Sequence, residues 1–387
     1  SYQWFMSDDN RNYTLIENVT SAGFFVDEFF EGKYIAVNVI GEGSYKGLLK
    51  NGTDTVSPEF ETLEEGLTPD EIQAIQLENE RQERAARLVE EEGYILISSV
   101  EDFQTKLTIQ DGKYVFGNNL DFEGQPVNRG NTGDEDVVNG VFKEFKGIID
   151  GNGYTISGVD DDAPLFSNKL TGNVEFRNIN ISGSSFSSDA LGNNFEGVFA
   201  RVSEASSVKF ISVHLNDIVF DTSDSKTGGL IGYENKASSN IIISSSSIGV
   251  LFDVDGAQRN IGGLFGEIFS STDFQMQIFN SLISAAFIKS DAEENMAAIS
   301  GIISTGSSGN FNLEIIQSLV YFDLEGNPQK VGAILGSKSG GSDSVEINIS
   351  NSFISSNIAS DSTSLIGVNF NNNQSMNISN SLIQTNS

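Results

Sequence analysis

The sequence predicts an all-β solenoid: a right-handed parallel β-helix of about seven coils, each about 33 residues long, preceded by a small β-rich module and one charged α-helix. Three observations predict this fold. A short apolar cluster recurs at a nearly constant spacing, an alternating strand follows the clusters, and the repeats contain no stretch with the 3.6-residue periodicity of a helix.

The recurring cluster consists of two large apolar residues flanked by small ones. Its copies are spaced by 33, 32, 34, 38, 32 and 31 residues. The seven copies are 163–167, 196–200, 228–232, 262–266, 300–304, 332–336 and 363–367. Because stacked coils bring equivalent positions into contact, the apolar residues of these clusters are expected to form ladders in the interior.

Strands with period-2 alternation follow the clusters, and they are rich in Ile, Val and Phe. Segments 174–182, 208–215, 312–320, 345–354 and 376–383 are the clearest examples. A propeller blade needs about 40–50 residues and four strands, so the shorter repeat favours the β-helix. Asn280, Asn351 and Asn380 recur before similar apolar pairs, and we expect them to stack at a turn with their amides bonded from coil to coil.

The chain divides into four segments. Residues 1–66 contain strand-like runs at 23–26, 34–40 and 45–49 without the repeat, and they form the small β-rich N-terminal module. Residues 67–93 form the charged helix, with a capping box at 68–71 and Gly93 as its stop signal. We expect its charged side chains to face solvent. Residues 94–160 form the cap and first coil of the β-helix, and residues 161–387 form its repeats.

Composition excludes several classes of function. The chain has 54 acidic and 22 basic residues, one histidine and no cysteine, with a net charge of −32. The acidic charge argues against nucleic acid as a partner, and the missing cysteine excludes thiolate catalysis and Cys-ligated zinc. The single histidine, His214, alternates with Val213 and Leu215 on a strand, and we expect it to face solvent or a turn. No apolar run reaches the roughly 18 residues of a membrane span.

From residue 94 onward the sequence resembles the GLUG-type β-helix segments of bacterial surface proteins and adhesins. The matching stretches are 95–103 (ILISSVEDF), 112–122 (GKYVFGNNLDF) and 145–156 (FKGIIDGNGYTI), followed by the Gly-Gly-Leu-Ile-Gly type clusters. Tyr154 stands where the family usually has histidine, and the clusters at 300–304 and 363–367 have each lost glycines and keep only one. The resemblance implies an extracellular stalk or adhesive rod, and residues 1–93 lie outside it.

Acidic loops predict a calcium site, because hard cations require several oxygen ligands. None of these loops matches the EF-hand pattern, and a soluble acidic surface is the alternative explanation for each. The candidate calcium ligands are Asp134, Asp136, Asp160, Asp161, Asp162, Asp221, Asp224, Asp253 and Asp255. The block Asp150-Gly151-Asn152-Gly153 predicts a tight structural turn, because no lysine and helix follow it as in a phosphate-binding loop.

Catalysis by a β-helix enzyme would need converging carboxylates. Asp217 and Asp221 are the nearest such pair, but a solvated loop explains them more simply, so we predict that the chain is not an enzyme.

The C-terminal end of the predicted solenoid has no evident cap, because the last repeat, 376–383, is followed by no polar cover. We therefore expect either a longer native polypeptide or stacking of this end on another subunit.

The predicted function is a non-enzymatic structural protein: a rigid β-helical rod for adhesion or for assembly of a filament or surface layer. It is expected outside the cell or at its surface, and the start at Ser1 rather than Met fits a secreted protein whose leader has been removed. Expected partners are a second copy or another surface protein, bound through the N-terminal module and the open C-terminal coil; a glycan is a further candidate. The alternatives are a polysaccharide-binding or -cleaving β-helix enzyme and a viral or phage fibre or capsid component.

Overall fold

A computed structural model describes most of the chain, and contacts divide it into two compact units, Ser1–Gln76 and Leu77–Ser387. The described residues are 2–8, 14–16, 33–40, 48–52, 69–127, 137–138, 141–187, 196–222, 226–235, 239–254, 260–270, 273–290, 295–305, 310–326, 330–340, 344–358, 365–368 and 374–386.

The described strands of the first unit form one antiparallel sheet. They are β1 Tyr2–Ser7, β2 Thr14–Leu15, β3 Tyr34–Ile40 and β4 Leu48–Gly52, in the order β2-β1-β3-β4. The strand predicted at 34–40 is β3, and the run predicted at 45–49 overlaps β4. The run predicted at 23–26 lies outside the described residues.

The predicted helix is present as α1, Pro69–Glu92. It ends where the sequence indicates, because Gly93 has a φ of 71°, a left-handed conformation that glycine adopts without strain. Residues from Leu77 onward belong to the second unit.

The second unit begins with short strands and one short helix. These are β5 Ile95–Ile97, α2 Val100–Lys106, β6 Lys113–Phe116, β7 Leu120–Gln125, β8 Val137–Val138, β9 Val141–Phe142, β10 Ile148–Asp150 and β11 Thr155–Asp161. Ser99 caps α2 by accepting a hydrogen bond from the Asp102 amide. The helix buries Phe103 against the rings of Phe116, Phe122 and Phe166 at the start of the solenoid.

Two long strands come next, and a repeating set of shorter ones follows them. The long strands are β12 Ser167–Ser187 and β13 Ala200–Thr222, and the shorter ones are β14 Lys226–Gly228, β15 Ile231–Asn235, β16 Ser239–Ser244, β17 Ser247–Val254, β18 Asn260–Gly262, β19 Phe265–Ser270, β20 Phe274–Phe279, β21 Leu282–Ser290, β22 Asn295–Ala297, β23 Ser300–Thr305, β24 Phe311–Ile316, β25 Leu319–Gly326, β26 Lys330–Val331, β27 Leu335–Gly340, β28 Val345–Ser350, β29 Phe353–Ile358, β30 Ile366–Val368, β31 Gln374–Ser379 and β32 Leu382–Asn386. Each strand pairs in parallel with its equivalent in the next coil, so that β16, β20, β24, β28 and β31 stack in register.

This pairing confirms the predicted parallel β-solenoid. It makes about six turns, slightly fewer than the seven predicted coils. A recurring cluster marks one side of a coil, so counting clusters also counts a coil that is not closed on every side.

The fifth predicted cluster, 300–304, was placed three residues too late. In the structure Gly262 pairs with Ala297 and Phe265 pairs with Ser300, so the true fifth copy is 297–301. Ala297 follows Gly262 by 35 residues, which removes the outlying spacing of 38. The sequence pattern was misleading here because the fifth copy has Ala297 and Ala298 in place of the two leading glycines, and Ser300 in place of phenylalanine.

Several segments predicted as single strands are two strands joined at a corner. Segment 312–320 contains the end of β24 and the start of β25, and Gln317 between them has a φ of 50°. Segment 345–354 is divided in the same way at Asn351, also at 50°. One left-handed residue followed by a buried serine turns the chain and shifts the inward phase, so that the alternation resumes after the corner.

The corners stack along the solenoid as predicted for Asn280, Asn351 and Asn380. The left-handed residues of successive coils are Asn178, Ser212, Ser245, Asn280, Gln317, Asn351 and Asn380. Of the three predicted asparagine amides, that of Asn280 donates to the preceding coil, to Ser245 Oγ at 3.4 Å. The regular bonds between coils at this corner come instead from the serine that follows.

A ladder of serines, buried at every position except Ser381, connects the corners. The hydroxyls of Ser246, Ser281, Ser318, Ser352 and Ser381 each donate to the carbonyl two residues earlier, at 2.7–2.9 Å. Each also accepts a backbone N–H from the preceding coil, at 3.1–3.2 Å. A serine oxygen therefore accepts one backbone amide of the preceding coil at each of these five corners, where the turn removes the normal strand partner.

Ladders of apolar side chains fill the interior. Phe186, Phe220, Phe252, Phe287 and Phe322 lie one above the other with ring centroids 4.9–5.5 Å apart. Leu230, Leu264, Ile299 and Ile334 form a second ladder without solvent exposure. None of the helices in the described residues has the length and apolar content needed to cross a lipid bilayer.

We expect Ser318→Ala to lower the free energy of unfolding by about 1–3 kcal/mol, because it leaves the buried N–H of Ser281 without an acceptor. Urea denaturation followed by circular dichroism measures the change. The matched control is Ser284→Ala, whose hydroxyl lies on the outer face, and it should stay within about 0.5 kcal/mol of wild type. Equal effects of the two substitutions would contradict the role assigned to the ladder.

Candidate functional site

The Asp150-Gly151-Asn152-Gly153 block forms a tight turn between β10 and β11. The amide of Asn152 donates to Asp150 Oδ1 at 2.9 Å, and the amide of Tyr154 donates to the Gly151 carbonyl at 2.8 Å. Asn152 and Gly153 both have positive φ, 53° and 79°. The predicted structural turn is therefore present, and its leading carboxylate is completely buried.

Asp150 is the centre of a polar network that joins α1 to two coils. Arg84 of α1 pairs with it at 2.5 Å, and Arg177 of the next coil pairs with it at 2.7 Å. Asn178 donates its side-chain amide to the same carboxylate at 3.1 Å, and Arg177 also donates to the Tyr94 hydroxyl at 2.7 Å. Charged hydrogen bonds from three directions hold the carboxylate in place.

The Asp150 carboxylate is ionised in the folded chain. Burial by itself raises its pKa, but the hydrogen bonds from Arg84 and Asn178 and the charge of Arg84 outweigh burial, so the pKa lies below its usual value. An ionised carboxylate with its oxygens committed to two arginines and an asparagine is a structural group.

The prediction that the charged side chains of α1 face solvent is wrong for the side of the helix that contacts the solenoid. Tyr154 donates its hydroxyl to Glu78 at 2.6 Å and accepts a hydrogen bond from Gln82 at 2.9 Å. Arg81 lies over the Tyr154 ring, 5.1 Å from its centroid. Burial and the bond to Glu78 raise the pKa of Tyr154 to about 12. Polar and aromatic contacts thus supplement the few apolar contacts of α1, among which Leu88 is buried.

The structure separates the three consecutive candidate calcium ligands at 160–162. Asp160 and Asp162 are exposed, whereas Asp161 points inward and accepts the Val127 amide at 2.6 Å. Burial is the main cause that raises the pKa of Asp161 to about 6, and the neighbouring charge of Asp162 adds to it. The three carboxylates therefore do not share one face.

Asp221 and Asp253, by contrast, are brought together. They are 32 residues apart in the sequence, and they pair in register near the ends of β13 and β17. Of their predicted co-ligands, Asp224 and Asp255 lie outside the described residues, as do Asp134 and Asp136. Within the described part of the chain, no group of three or more Asp, Glu, His or Cys side chains could hold a metal ion. Calcium binding stays a prediction, which thermal unfolding with added calcium tests.

The single histidine, His214, and the carboxylate pair considered for catalysis, Asp217 and Asp221, lie on the outer face of β13. His214 is half-buried, and burial lowers its pKa. It stacks between Asn180 and Ser247 of the neighbouring coils. Asp217 is exposed with a φ of 53°, at a register irregularity between Leu215 and Ile218, and Asp221 follows beyond this irregularity.

A polar groove of about 550 Å³ lies where β16, β20, β24 and β28 begin. One row of its side chains is Asn240, Gln275, Asn312 and Glu346, which stack in register on four coils. A second row is Asp273, Asn310 and Ser344, joined by hydrogen bonds of 2.8 and 2.5 Å. The buried rings of Phe274 and Phe311 are stacked beneath, 5.2 Å apart.

The groove offers amides, hydroxyls and carboxylates, and none of its described lining side chains is cationic. It can therefore exchange hydrogen bonds with a neutral polyhydroxylated chain, whereas an acidic polysaccharide would be repelled by Asp273 and Glu346. Sequence reasoning missed this row because its residues come from four repeats. The available signal was the polar outward position next to the first buried residue of each strand.

Comparison with known proteins gives no match: no protein-family model and no curated protein sequence matches the chain. The resemblance to GLUG-type segments stays a prediction.

We expect Asp150→Asn to destabilise the chain at neutral pH by about 3 kcal/mol, because it leaves Arg84 and Arg177 facing a neutral group. Both arginines keep partial access to water, which limits the cost. Because the folded pKa is depressed, the contribution of Asp150 is present above its unfolded pKa of about 3.9 and is lost as pH falls through the folded value. Urea denaturation at neutral and acidic pH measures the difference from wild type, which should narrow in acid. Asp111→Asn, at an exposed carboxylate, is the control without effect.

The same substitution at Asp161 should have the opposite effect. Its folded pKa of about 6 lies above the unfolded value, so ionisation lowers the stability of the wild type as pH rises from about 4 to 6. Asp161→Asn keeps an acceptor for the Val127 amide and removes the charge, so we expect about 2–3 kcal/mol of stabilisation at neutral pH and little in acid. Thermal unfolding across this pH range tests the prediction, with the exposed Asp160→Asn as control. A lower midpoint for Asp161→Asn at neutral pH would contradict it.

Proposed function

We propose that this chain is a non-enzymatic structural protein of the cell surface or extracellular space, whose solenoid is a rigid scaffold in adhesion or in assembly of a filament or surface layer. The observation that carries the proposal is the use of its polar side chains. The buried serines at the corners and the Asp150 network bond the coils to each other, and their hydrogen-bonding atoms are occupied by the fold.

Apart from the in-register pair Asp221 and Asp253 and the groove residues Asp273 and Glu346, outward carboxylates are spread over different strands, which also supports a scaffold. Asp160 is on β11, Glu314 on β24 and Asp323 on β25. Hydrolysis of a glycosidic bond requires two carboxylates on either side of one bond. Acids spread over different strands give solubility and surface charge instead.

Rigidity follows from the way the coils stack. Every interior ladder and every corner serine connects one coil to the next, so a coil cannot move without breaking backbone bonds and ring contacts on both sides. A scaffold of this kind keeps its coils at fixed positions along its axis, which is the property that an adhesive or assembling protein needs.

The polar groove favours a second candidate function, polysaccharide binding. Its two rows of amides, hydroxyls and carboxylates run along the solenoid axis. An extended glycan could follow these rows and present a hydroxyl at each coil. A binding role of this kind is compatible with the scaffold.

One experiment separates these functions. The full chain is incubated with neutral, acidic and amino polysaccharides over a range of pH, with and without calcium, and new reducing ends and unsaturated sugars are measured. We expect no turnover. Affinity electrophoresis of the same samples detects binding, and Gln275→Ala should weaken any retention by a neutral glycan, because Gln275 lies in the groove.

Depolymerisation that persists through repurification and is abolished by Asp273→Asn, also a groove residue, would overturn the structural assignment. Electron microscopy of concentrated protein provides the positive readout, which is ordered assemblies of the chain. The predicted contacts through the N-terminal module and the last coil are tested by the same images.

A further inference from the structure

One outward-facing column of the solenoid changes from polar to apolar along its length. The in-register residues that follow the corner by one position are Asn180, His214 and Ser247 in the earlier coils, and Leu282, Leu319, Phe353 and Leu382 in the later ones. The equivalent position thus faces outward in all seven coils, and its side chain changes from polar to apolar between Ser247 and Leu282.

Further apolar side chains widen this column. Phe279 and Ile316 flank it across the corner, and Tyr321 extends it, with its ring 5.7 Å from that of Phe353. We call Phe279, Leu282, Ile316, Leu319, Tyr321 and Phe353 the corner stripe. Phe279 and Tyr321 are each 38% exposed and Leu319 is 42% exposed, while the others are half-buried.

The interior of the solenoid does not require these side chains. The next residue along each strand already fills the core, and Ile283, Val320 and Ile354 are at most 1% exposed. Ser247 occupies the same outward position without harm to the stacking. Exposing large apolar groups in a row costs free energy and favours aggregation, and such rows are typical of surfaces that another molecule covers.

The stripe is also uncharged in a strongly acidic chain. Segments 279–285, 316–322, 350–356 and 379–385 contain no charged residue, although the chain carries a net charge of −32. Glu314 and Glu346 lie on one side of the stripe and Asp323 on the other. A second acidic chain can approach here with its apolar row centred and the carboxylates left at a rim where water and salt screen them.

The spacing along the stripe selects the partner. Its rows repeat at the separation of stacked strands, about 4.8 Å, whereas a helix presents successive turns at about 5.4 Å. Only a second ladder with the same rise keeps every row in contact. A self-complementary patch on two identical chains is the commonest way in which soluble proteins associate.

We infer that two copies of this chain associate side by side through the corner stripe, each stripe packing against the other around a two-fold axis. Six side chains per copy make a small interface, so the pair forms reversibly. The part that this pairing plays in assembly rests on the structural role proposed above. The pairing itself depends only on the apolar side chains of the corner stripe and not on that role.

The test is sedimentation velocity of the full chain over a concentration series at low and high sodium chloride. We expect a monomer–dimer equilibrium that shifts toward dimer with added salt, because salt screens repulsion between the carboxylates at the rim. Leu319→Ser/Phe353→Ser, which restores the chemistry of Ser247, should raise the dimer dissociation constant at least tenfold and leave the thermal midpoint unchanged. The matched control is Ile109→Ser, at an exposed apolar side chain on the segment between α2 and β6, and it should dimerise as wild type.

A wild type that stays monomeric at high concentration and salt overturns the inference, as does a double variant that dimerises like wild type. Dimers that dissociate with added salt also overturn it, since they are held by ion pairs elsewhere. If the double variant lowers the thermal midpoint, Tyr321→Ser alone provides the decisive comparison. Failure here leaves the scaffold role intact, whereas polysaccharide cleavage would remove that role and leave the dimer standing.

Discussion

Parallel hydrogen bonding between successive coils is the constraint on which this molecule depends. Once strands pair in register, each residue lies about 4.8 Å from its equivalents above and below, so any chemistry at one position is repeated or opposed by its neighbours. Apolar positions become ladders of stacked rings, as in Phe220, Phe252 and Phe287. The corner serines exist because turning the chain leaves one backbone amide per coil without a strand partner.

The same constraint divides the roles of side chains. Inward positions are committed to the core, so variation that can carry function is confined to outward columns. The sheet formed by β16, β20, β24 and β28 illustrates this, since the polar groove lies at its beginning and the corner stripe follows its end. Asp150, whose buried carboxylate begins the turn at 150–153, serves instead to join α1 and two coils. Asp150 and Asn152, which stand out in the sequence, are thus structural, whereas Gln275 and Leu319, which do not, lie in the polar groove and in the corner stripe.

The sequence was informative where the physical rule is local. Alternation predicted the strands, and glycine predicted the end of α1, because both depend on neighbouring residues only. It was misleading where one residue changes the phase: Gln317 reverses which side of the strand faces inward, and alternation alone continued through it. Ala297 was missed as a cluster position because its glycine is replaced, and only pairing with Gly262 identifies it.

By itself the sequence determined that the chain repeats every 33 residues or so, that the repeats are strands, and that cysteine chemistry is impossible. Only the tertiary structure decided that Asp150 is held ionised while Asp161 is pushed toward its neutral form, because that depends on arginines and burial supplied by distant segments. It also decided that Leu319 faces outward, beside residues 34 and 37 positions away in the chain. Period and composition are properties of one segment, whereas charge environment and exposure are set by whichever segments the coil-to-coil register brings alongside.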